Sequence, residues 1–198
     1  PIGTGIAYKS LFNNLKRRYV TVIFFGEAAT EEGVFSESIN FAAIHNIPIL
    51  FVCENNLYSV YTSLKDRQSN KKNLVNIVKN YGIDSYSFDG NDASKVFIKT
   101  KKLVNKARKY SKPIFVEFKT YRWKEHCGPS WDDHLGYRPK GELKKWMTRC
   151  PLKKIKSLIK KEKALYLQSK IDQEVEKAFS HAKKSKFPDK KILNNFYF

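Results

Sequence analysis

Two short stretches of this chain carry side chains that could do chemistry. The first is Phe24-Phe25-Gly26-Glu27-Ala28-Ala29-Thr30-Glu31-Glu32-Gly33, and the second is Glu54-Asn55-Asn56-Leu57-Tyr58. A carboxylate at Glu27, a carboxamide oxygen at Asn56 and a backbone carbonyl at Tyr58 are hard oxygen donors. Mg²⁺ takes about six such ligands and seldom has an all-protein cage. The remaining places would fall to phosphate oxygens and water, so the chemistry suggested is a Mg²⁺–diphosphate site. Small residues at Gly26, Ala28 and Ala29 would let the backbone approach the phosphates. On spacing alone, a solvated loop carboxylate and an ordinary Asn-Asn turn explain the same letters.

The elements around these stretches decide whether they meet. Residues 20–25 are apolar, β-branched and aromatic and read as a buried strand, which Gly26 ends. Residues 47–53 read as a second buried strand ending at Asn55-Asn56. Between them, residues 31–45 read as a helix, apolar nearly all round and therefore buried. Strand, helix and strand make a βαβ unit, whose crossover is expected to be right-handed. Both strands then deliver oxygen-bearing side chains to one sheet edge, where open α/β sheets bind ligands. The helix that follows Glu27 would aim its N-terminus at the phosphates, a favourable place for anions.

Helix and strand signals alternate through residue 120. A helix is expected over residues 2–18, with Leu15 on its apolar side and Lys16-Arg17-Arg18 in its last turn. Residues 59–73 read as a polar loop with room for a short helical turn. A short helix over 74–81 is ended by Gly82. A strand at 83–88 precedes the turn 89–92, with Asp92 as an N-cap. A helix at 93–109 and a strand at 113–120 complete the pattern. The fold class is therefore α/β, a doubly wound, mainly parallel sheet with helices on both faces. Residues 121–137 show neither period, and so long a stretch is uncommon unless functional or disordered. It holds Trp123, His126, Cys127, Gly128-Pro129, Trp131 and Asp132. Pro139 is expected to start a helix reaching Met147, and residues 171–182 form an amphipathic helix in a helical C-terminal tail. The tail's last apolar residues, Ile192, Leu193, Phe196, Tyr197 and Phe198, are either docked on a partner or sticky. Residues 1–150 are read as the binding domain and residues 151–198 as its basic helical extension.

The string Gly26-Glu27-Ala28-Ala29, Glu32-Gly33, Asn40-Phe41-Ala42-Ala43, Pro48 and Glu54-Asn55-Asn56-Leu57-Tyr58 resembles a known family. It is similar to the α subunit of the decarboxylating component of thiamine-diphosphate-dependent 2-oxoacid dehydrogenases, of the pyruvate, branched-chain 2-oxoacid and acetoin kinds. The likeness continues through residues 113–122, His126 and Tyr137-Arg138, and so covers most of residues 1–150. Against the family, the chain lacks an N-terminal portion. The resemblance implies thiamine diphosphate held through Mg²⁺ by Glu27, Asn56 and the Tyr58 carbonyl. It places Gly26, Ala28, Ala29 and His126 beside the cofactor. It also implies a separate β subunit in an α₂β₂ heterotetramer, which holds the aminopyrimidine and supplies the carboxylate that starts ylid formation. His126 would be the catalytic residue of this chain, hydrogen-bonding a charged intermediate or assisting acyl transfer. The substrate would be a small 2-oxoacid, and the acyl group would pass to an acceptor such as the lipoyl arm of an acyltransferase, neither of which the sequence names. Three departures stand out. Glu27 occupies a position where Asp is commoner, Ala28 replaces a usual Gly, and Lys124 replaces the first His of the family's His-Gly-His-Ser.

Composition narrows the class. The chain has 198 residues, 41% of them hydrophobic, enough for one domain with a real core. No apolar run approaches the roughly 20 residues of a membrane helix, so no membrane is expected, and no charged-then-apolar leader is visible. Three cysteines, Cys53, Cys127 and Cys150, lack metal-ligand spacing. They point to a reducing cytoplasm rather than a disulfide scaffold. The net charge of +19 is uneven: residues 1–62 hold four Lys/Arg against five Asp/Glu, while residues 63–140 hold 18 against 8 and residues 141–198 hold 16 against 6. The motif block is thus nearly neutral. The excess is read as a Lys-rich composition on solvated faces, and nucleic acid is not expected as a partner. Two rival functions stay open. A thiamine-diphosphate enzyme for carboligation or a carbohydrate-derived substrate is motivated by the altered loop at His126, and a basic nucleic-acid-binding module by the charge.

Overall fold

Residues 49–53, Ile-Leu-Phe-Val-Cys, are apolar on both sides of the strand period, which suits a strand covered on two faces. The computed structural model, which describes residues 1–12 and 19–192, places them at the centre of a parallel sheet. The chain divides into two compact units, Pro1–Lys154 and Ile155–Phe198. The first unit runs α1 (Ile2–Lys9), β1 (Thr21–Gly26), a 3₁₀ turn (Glu27–Glu31), α2 (Gly33–Ile44), β2 (Ile49–Asn55) and the small hairpin β3 (Tyr58–Ser59) and β4 (Thr62–Ser63). It continues with α3 (Leu64–Arg67), α4 (Leu74–Lys79), β5 (Asp84–Asp89), α5 (Ala93–Tyr110), β6 (Ile114–Lys119) and α6 (Glu142–Met147). The helix α7 (Pro151–Lys156) follows. Strand order in the sheet is β1-β2-β6-β5, every pair parallel.

The sheet has a helical layer on each face. On one, Ala7 of α1, Ile39 and Ala42 of α2, and Leu74 and Val78 of α4 pack on Phe51, Cys53 and Phe115. On the other, Leu103 and Ala107 of α5 pack on Leu50, Val52, Ile114, Val116 and Phe118. This is the doubly wound α/β arrangement expected from the sequence. The expected caps are present too: Asp92 accepts a hydrogen bond from the Lys95 backbone N–H at 3.1 Å, and Gly82 follows α4 at φ +78°.

Several expectations need correction. β1 is not a buried strand. It is the sheet edge, and α5 does not reach across it, so Phe24 is 67% exposed and Val22 lies open beside it. Nor is α2 buried all round. Ser38, Ile39 and Ala42 face the sheet, while Val34, Phe41 and Ile44 are exposed because the described first unit has no further layer over them. The loop over 59–73 contains the short helical turn expected, α3, and also the β3–β4 hairpin, which was not. The helix expected from Pro139 begins only at Glu142, because Gly141 at φ +81° makes the entry turn. The helix over 2–18 is seen as Ile2–Lys9. Leu15, Lys16-Arg17-Arg18 and the terminal Leu193, Phe196, Tyr197 and Phe198 lie outside the described residues. In the second unit, α8 (Lys161–Lys184) is longer than the 171–182 expected, with Ile171, Val175 and Phe179 all exposed. No helix among the described residues is long and apolar enough to cross a membrane.

Phe115 anchors the core. It is fully buried and its ring meets Phe25 and Phe35 at 6.5 and 6.3 Å. Phe115→Ala should cost about 3–5 kcal/mol through the cavity it leaves, whereas Phe24→Ser should change stability by less than about 0.5 kcal/mol. Chemical denaturation of the two variants checks this, and equal losses would contradict the edge position of β1.

Candidate active site

The two motif stretches meet because their strands are neighbours. β1 and β2 pair in parallel with Gly26 opposite Glu54, so the residues after each strand emerge side by side at the C-terminal edge. Glu27 opens the 3₁₀ turn that follows β1, and this turn packs against β2 and β3. The Thr30 hydroxyl donates to the Glu27 carbonyl at 2.6 Å and closes the turn. A side chain at Gly26 would meet nothing within 4 Å, so the strand end opens onto free space. Ala28 and Ala29 sit in the same turn, half-buried and exposed.

Glu27 is only 1% exposed, and a carboxylate that far from water needs a cation or donors. It has Arg67, whose Nη2 lies 2.5 Å from Glu27 Oε1. The same guanidinium pairs through Nη1 with Glu31, and Gln68 donates to Glu31 at 2.6 Å. The polar loop after Tyr58 is thereby strapped across the 3₁₀ turn.

The turn after β2 is built from side-chain amides. The Leu57 N–H donates to Asn55 Oδ1 and the Tyr58 N–H to Asn56 Oδ1, each at 3.1 Å. These are Asx turns, in which a side-chain carbonyl replaces a backbone one. Leu57 is held at φ +74°. The Asn56 oxygen accepts one bond here and retains a second lone pair. Beneath the turn, Asn55 Nδ2 donates to Glu117 Oε1 at 2.8 Å, and the Ser87 hydroxyl donates to Glu117 Oε2 at 2.6 Å. Burial, then the charges of Glu117, Glu27 and Glu54, push the Cys53 thiol far above its usual range. Cys53 is thus an inert core thiol.

Beside the turn lies a box of tyrosines around Arg138, which is buried. Its guanidinium carbon is 5.8, 5.1 and 5.0 Å from the rings of Tyr58, Tyr121 and Tyr137. Arg138 Nη2 lies 3.1 Å from Asp132 Oδ1, and its Nε donates to the Tyr137 hydroxyl at 2.8 Å. Tyr137 donates in turn to Asp132 Oδ2 at 2.5 Å. Tyr58 and Tyr121 both donate to Glu142 Oε2, at 2.5 and 2.9 Å. Burial first, and then these bonds to Glu142, push both phenols well above their ordinary range. Arg122 Nη2 donates to the Val60 carbonyl at 2.7 Å, tying the loop after β6 to the hairpin.

His126 stands apart from this network. The loop bends back on itself, the Glu125 N–H donating to the Ser130 carbonyl at 3.0 Å and Lys124 Nζ lying 3.7 Å over the Trp131 ring. The Glu125 carboxylate folds over Gly128, so a side chain there would displace it. His126 and Cys127 are exposed at its tip. Two carboxylates near it in sequence are engaged elsewhere: Glu125 accepts from the Ser130 N–H, and Asp132 serves Arg138 and Tyr137. The structure therefore joins Glu27 to the Asn55–Tyr58 turn but leaves His126 free at a loop tip. Among the described residues, no group of three His, Cys, Asp or Glu side chains could hold a metal. Oxygen donors at Glu27, Asn56 and Tyr58 are of a different kind.

Sequence reasoning missed Arg67, Glu142 and Glu117. Only Glu117 gave a signal, as the one charge inside Ile114-Phe115-Val116-Glu117-Phe118. A groove of about 670 Å³ lies on the opposite face of the sheet, lined by Phe24, Val52, Glu54, Phe97, Val104 and Phe118 among others. It contains none of Glu27, Asn56, Tyr58 or His126.

The profile of a protein family described as "Dehydrogenase E1 component" matches residues 1–191. The pyruvate dehydrogenase E1 component subunit alpha of Rickettsia typhi is 32% identical over 159 residues, covering 80% of this chain and 47% of that one. The chloroplastic subunit alpha-3 of the same component from Arabidopsis thaliana is also 32% identical, over 100% of this chain and 48% of its own. The mitochondrial 2-oxoisovalerate dehydrogenase subunit alpha 1 of Arabidopsis thaliana is 29% identical, over 100% and 42%. The chain spans about half the length of the curated relatives it matches. Among solved structures, a transketolase from Pichia Stipitis superposes at TM-score 0.47 and 20% identity, over 60% of this chain and 18% of that one. The profile runs from the first residue through both motif stretches and their strands, and on that ground the chain belongs to the dehydrogenase E1 component family.

Proposed function

We propose that this chain is the alpha-type part of a thiamine-diphosphate-dependent 2-oxoacid dehydrogenase. In this reading it works in the cytoplasm with a separate beta-type subunit, as an α₂β₂ assembly. It decarboxylates a small 2-oxoacid and delivers the acyl group to an acceptor such as the lipoyl arm of an acyltransferase. The observation that carries the proposal is the in-register pairing of β1 and β2, which brings Glu27 beside the Asn55–Tyr58 turn in a chain of this family. Three free thiols, Cys53, Cys127 and Cys150, support the reducing compartment.

The residues present fit the group. Glu27 is a buried carboxylate already compensated by a cation, the Arg67 guanidinium, so its site accepts positive charge. Asn56 keeps a free lone pair, and open space adjoins Gly26. Glu27, Asn56 and the Tyr58 carbonyl would hold Mg²⁺ and through it the diphosphate, with Gly26, Ala28 and Ala29 giving the backbone room. Bound thiamine diphosphate supplies the electron sink on which a 2-oxoacid loses CO₂. The chain's own part is to bind and orient. The tyrosine box around Arg138 holds the 121–137 loop rigid at its base, while its tip presents His126. A histidine ring nitrogen can hold a proton or give it to a developing charge. Its exposed place suits an acceptor arriving from outside.

Purified without its partner, the chain should turn over no 2-oxoacid, because it supplies only the diphosphate half of the site. Turnover by the isolated chain with Mg²⁺ and thiamine diphosphate rejects the two-subunit reading. In the assembled enzyme, Glu27→Ala removes the only charged ligand assigned to the metal. Loss of one member of a buried charged set costs roughly 3–5 kcal/mol, so cofactor affinity should fall at least about a hundredfold, at ~1.4 kcal/mol per tenfold. Titration calorimetry reads it, and unchanged affinity removes Glu27 from the site. His126→Asn should leave the melting temperature and cofactor affinity intact while turnover drops about 10²–10⁴-fold. A loss of rate that follows a loss of folding would instead make His126 structural.

A further inference from the structure

Glu117 is buried at 7% exposure inside the sheet, and no Lys, Arg or His among the described residues forms an ion pair with it. An uncompensated carboxylate in such a place is costly, and its strand neighbours Phe115 and Val116 show that apolar residues fit there. The carboxylate is met instead by neutral donors from both flanking strands. Asn55 Nδ2 of β2 approaches at 2.8 Å, and the Ser87 hydroxyl of β5 at 2.6 Å. Hydrogen bonds to an ionised acceptor are the strong kind.

The chemistry of the acceptor has a consequence along the chain. A carboxylate only accepts, so it must face the NH₂ end of the Asn55 amide. The oxygen end is thereby aimed away, and it receives the Leu57 N–H at 3.1 Å. That bond holds Leu57 at φ +74°, a left-handed conformation that a branched apolar residue adopts only under constraint. With Leu57 so placed, the Tyr58 N–H closes onto Asn56 Oδ1 at 3.1 Å. The Thr120 N–H, just past β6, fixes the Asn55 carbonyl at 2.9 Å. One buried charge therefore sets the orientation of one amide, and that amide sets the turn that carries Asn56 and the Tyr58 carbonyl.

We infer that Glu117 is a positioning residue, which through Asn55 aims Asn56 and the Tyr58 carbonyl at the cation. This rests on the proposed Mg²⁺–diphosphate site. Groups that orient metal ligands from behind typically contribute about 10–100-fold in metal affinity, so the effect belongs in binding rather than only in stability.

The test uses the enzyme assembled with its beta-type partner and measures Mg²⁺-dependent binding of thiamine diphosphate by calorimetry. Thermal melting without cofactor runs alongside. Glu117→Ala and Asn55→Ala should each raise the apparent Mg²⁺ Kd about 10–100-fold, and the double variant should do little worse than either, since both cut one path. Glu117→Gln can still offer an oxygen to Asn55 Nδ2, with Ser87 turning to accept from its amide, and should bind close to wild type. Ser87→Ala removes a bond to the same carboxylate away from the turn. It should lower the melting temperature and leave the Mg²⁺ Kd unchanged. If Glu117→Ala does not fold, Asn55→Ala with Glu117 in place decides. An unchanged Mg²⁺ Kd in Asn55→Ala and Glu117→Ala, with melting lowered in all, overturns the proposal and makes the cluster merely structural. Wild-type binding that Glu27→Ala abolishes keeps the site reading whatever Glu117 does, whereas wild type without Mg²⁺-dependent binding overturns both.

Discussion

A carboxylate withdrawn from water must find a cation or a full set of donors, and the C-terminal edge of this sheet depends on two that solve the problem differently. Glu27 is paired with Arg67, reached from a loop that lies 40 residues further along the chain. Glu117 takes two neutral donors from the strands beside it. The first solution is exchangeable, since one cation can be replaced by another. The second is fixed, because amide and hydroxyl donors held by parallel strands have nowhere else to go. Under the proposed Mg²⁺ reading the two would divide the work, Glu27 exchanging one cation for another while Glu117 keeps the frame in place.

The long loop after β6 applies the same division. Its base is fixed by Arg138 among three rings and Asp132, with Glu142 holding Tyr58 and Tyr121. Tyr58 belongs to the Asn-Asn turn as well, so the loop base and the turn share a side chain. Its tip is held by little more than the Glu125–Ser130 bond and the stacking of Lys124 on Trp131. Stacking at an exposed site contributes about 0.5–1 kcal/mol, small against the buried base. A segment rigid at one end and lightly held at the other suits a residue that must meet an arriving group.

Much of this was legible in the sequence, and the limits have physical causes. Strands β2 and β6 were plain because burial on two faces writes an unbroken apolar run. β1 has the same letters, but whether a strand is central or edge depends on its neighbours, so Phe24 looked buried and is not. Glu27 and Asn56 could be picked out because strand ends in parallel sheets share one edge. Arg67 could not, since nothing in Leu64-Lys65-Asp66-Arg67 distinguishes the cation that will fold back onto Glu27. Asp132 was visible as a charge near His126, yet its partner is Arg138, which follows it closely in sequence but is reached only after the chain turns at Gly136, φ +74°. The family likeness supplied the meaning of the motifs; it did not supply the hydrogen bonds that hold them.

Register explains why so few residues suffice. Side chains alternate along a strand, so Cys53 and Asn55 share a face with Glu117 and Ser87, while Glu54 and Phe118 point to the other. A slip of one residue in β2 would turn Glu54 toward Glu117 and Asn55 toward the apolar groove. Two carboxylates would then face each other with no cation between them. The packing of Leu50 and Val52 on α5, and of Phe51 and Cys53 under α2, forbids that slip with the full weight of both cores. Packing thus chooses the register, the register chooses which side of the sheet is polar at its edge, and the single charge in β6 then orients the amide on which the turn is built.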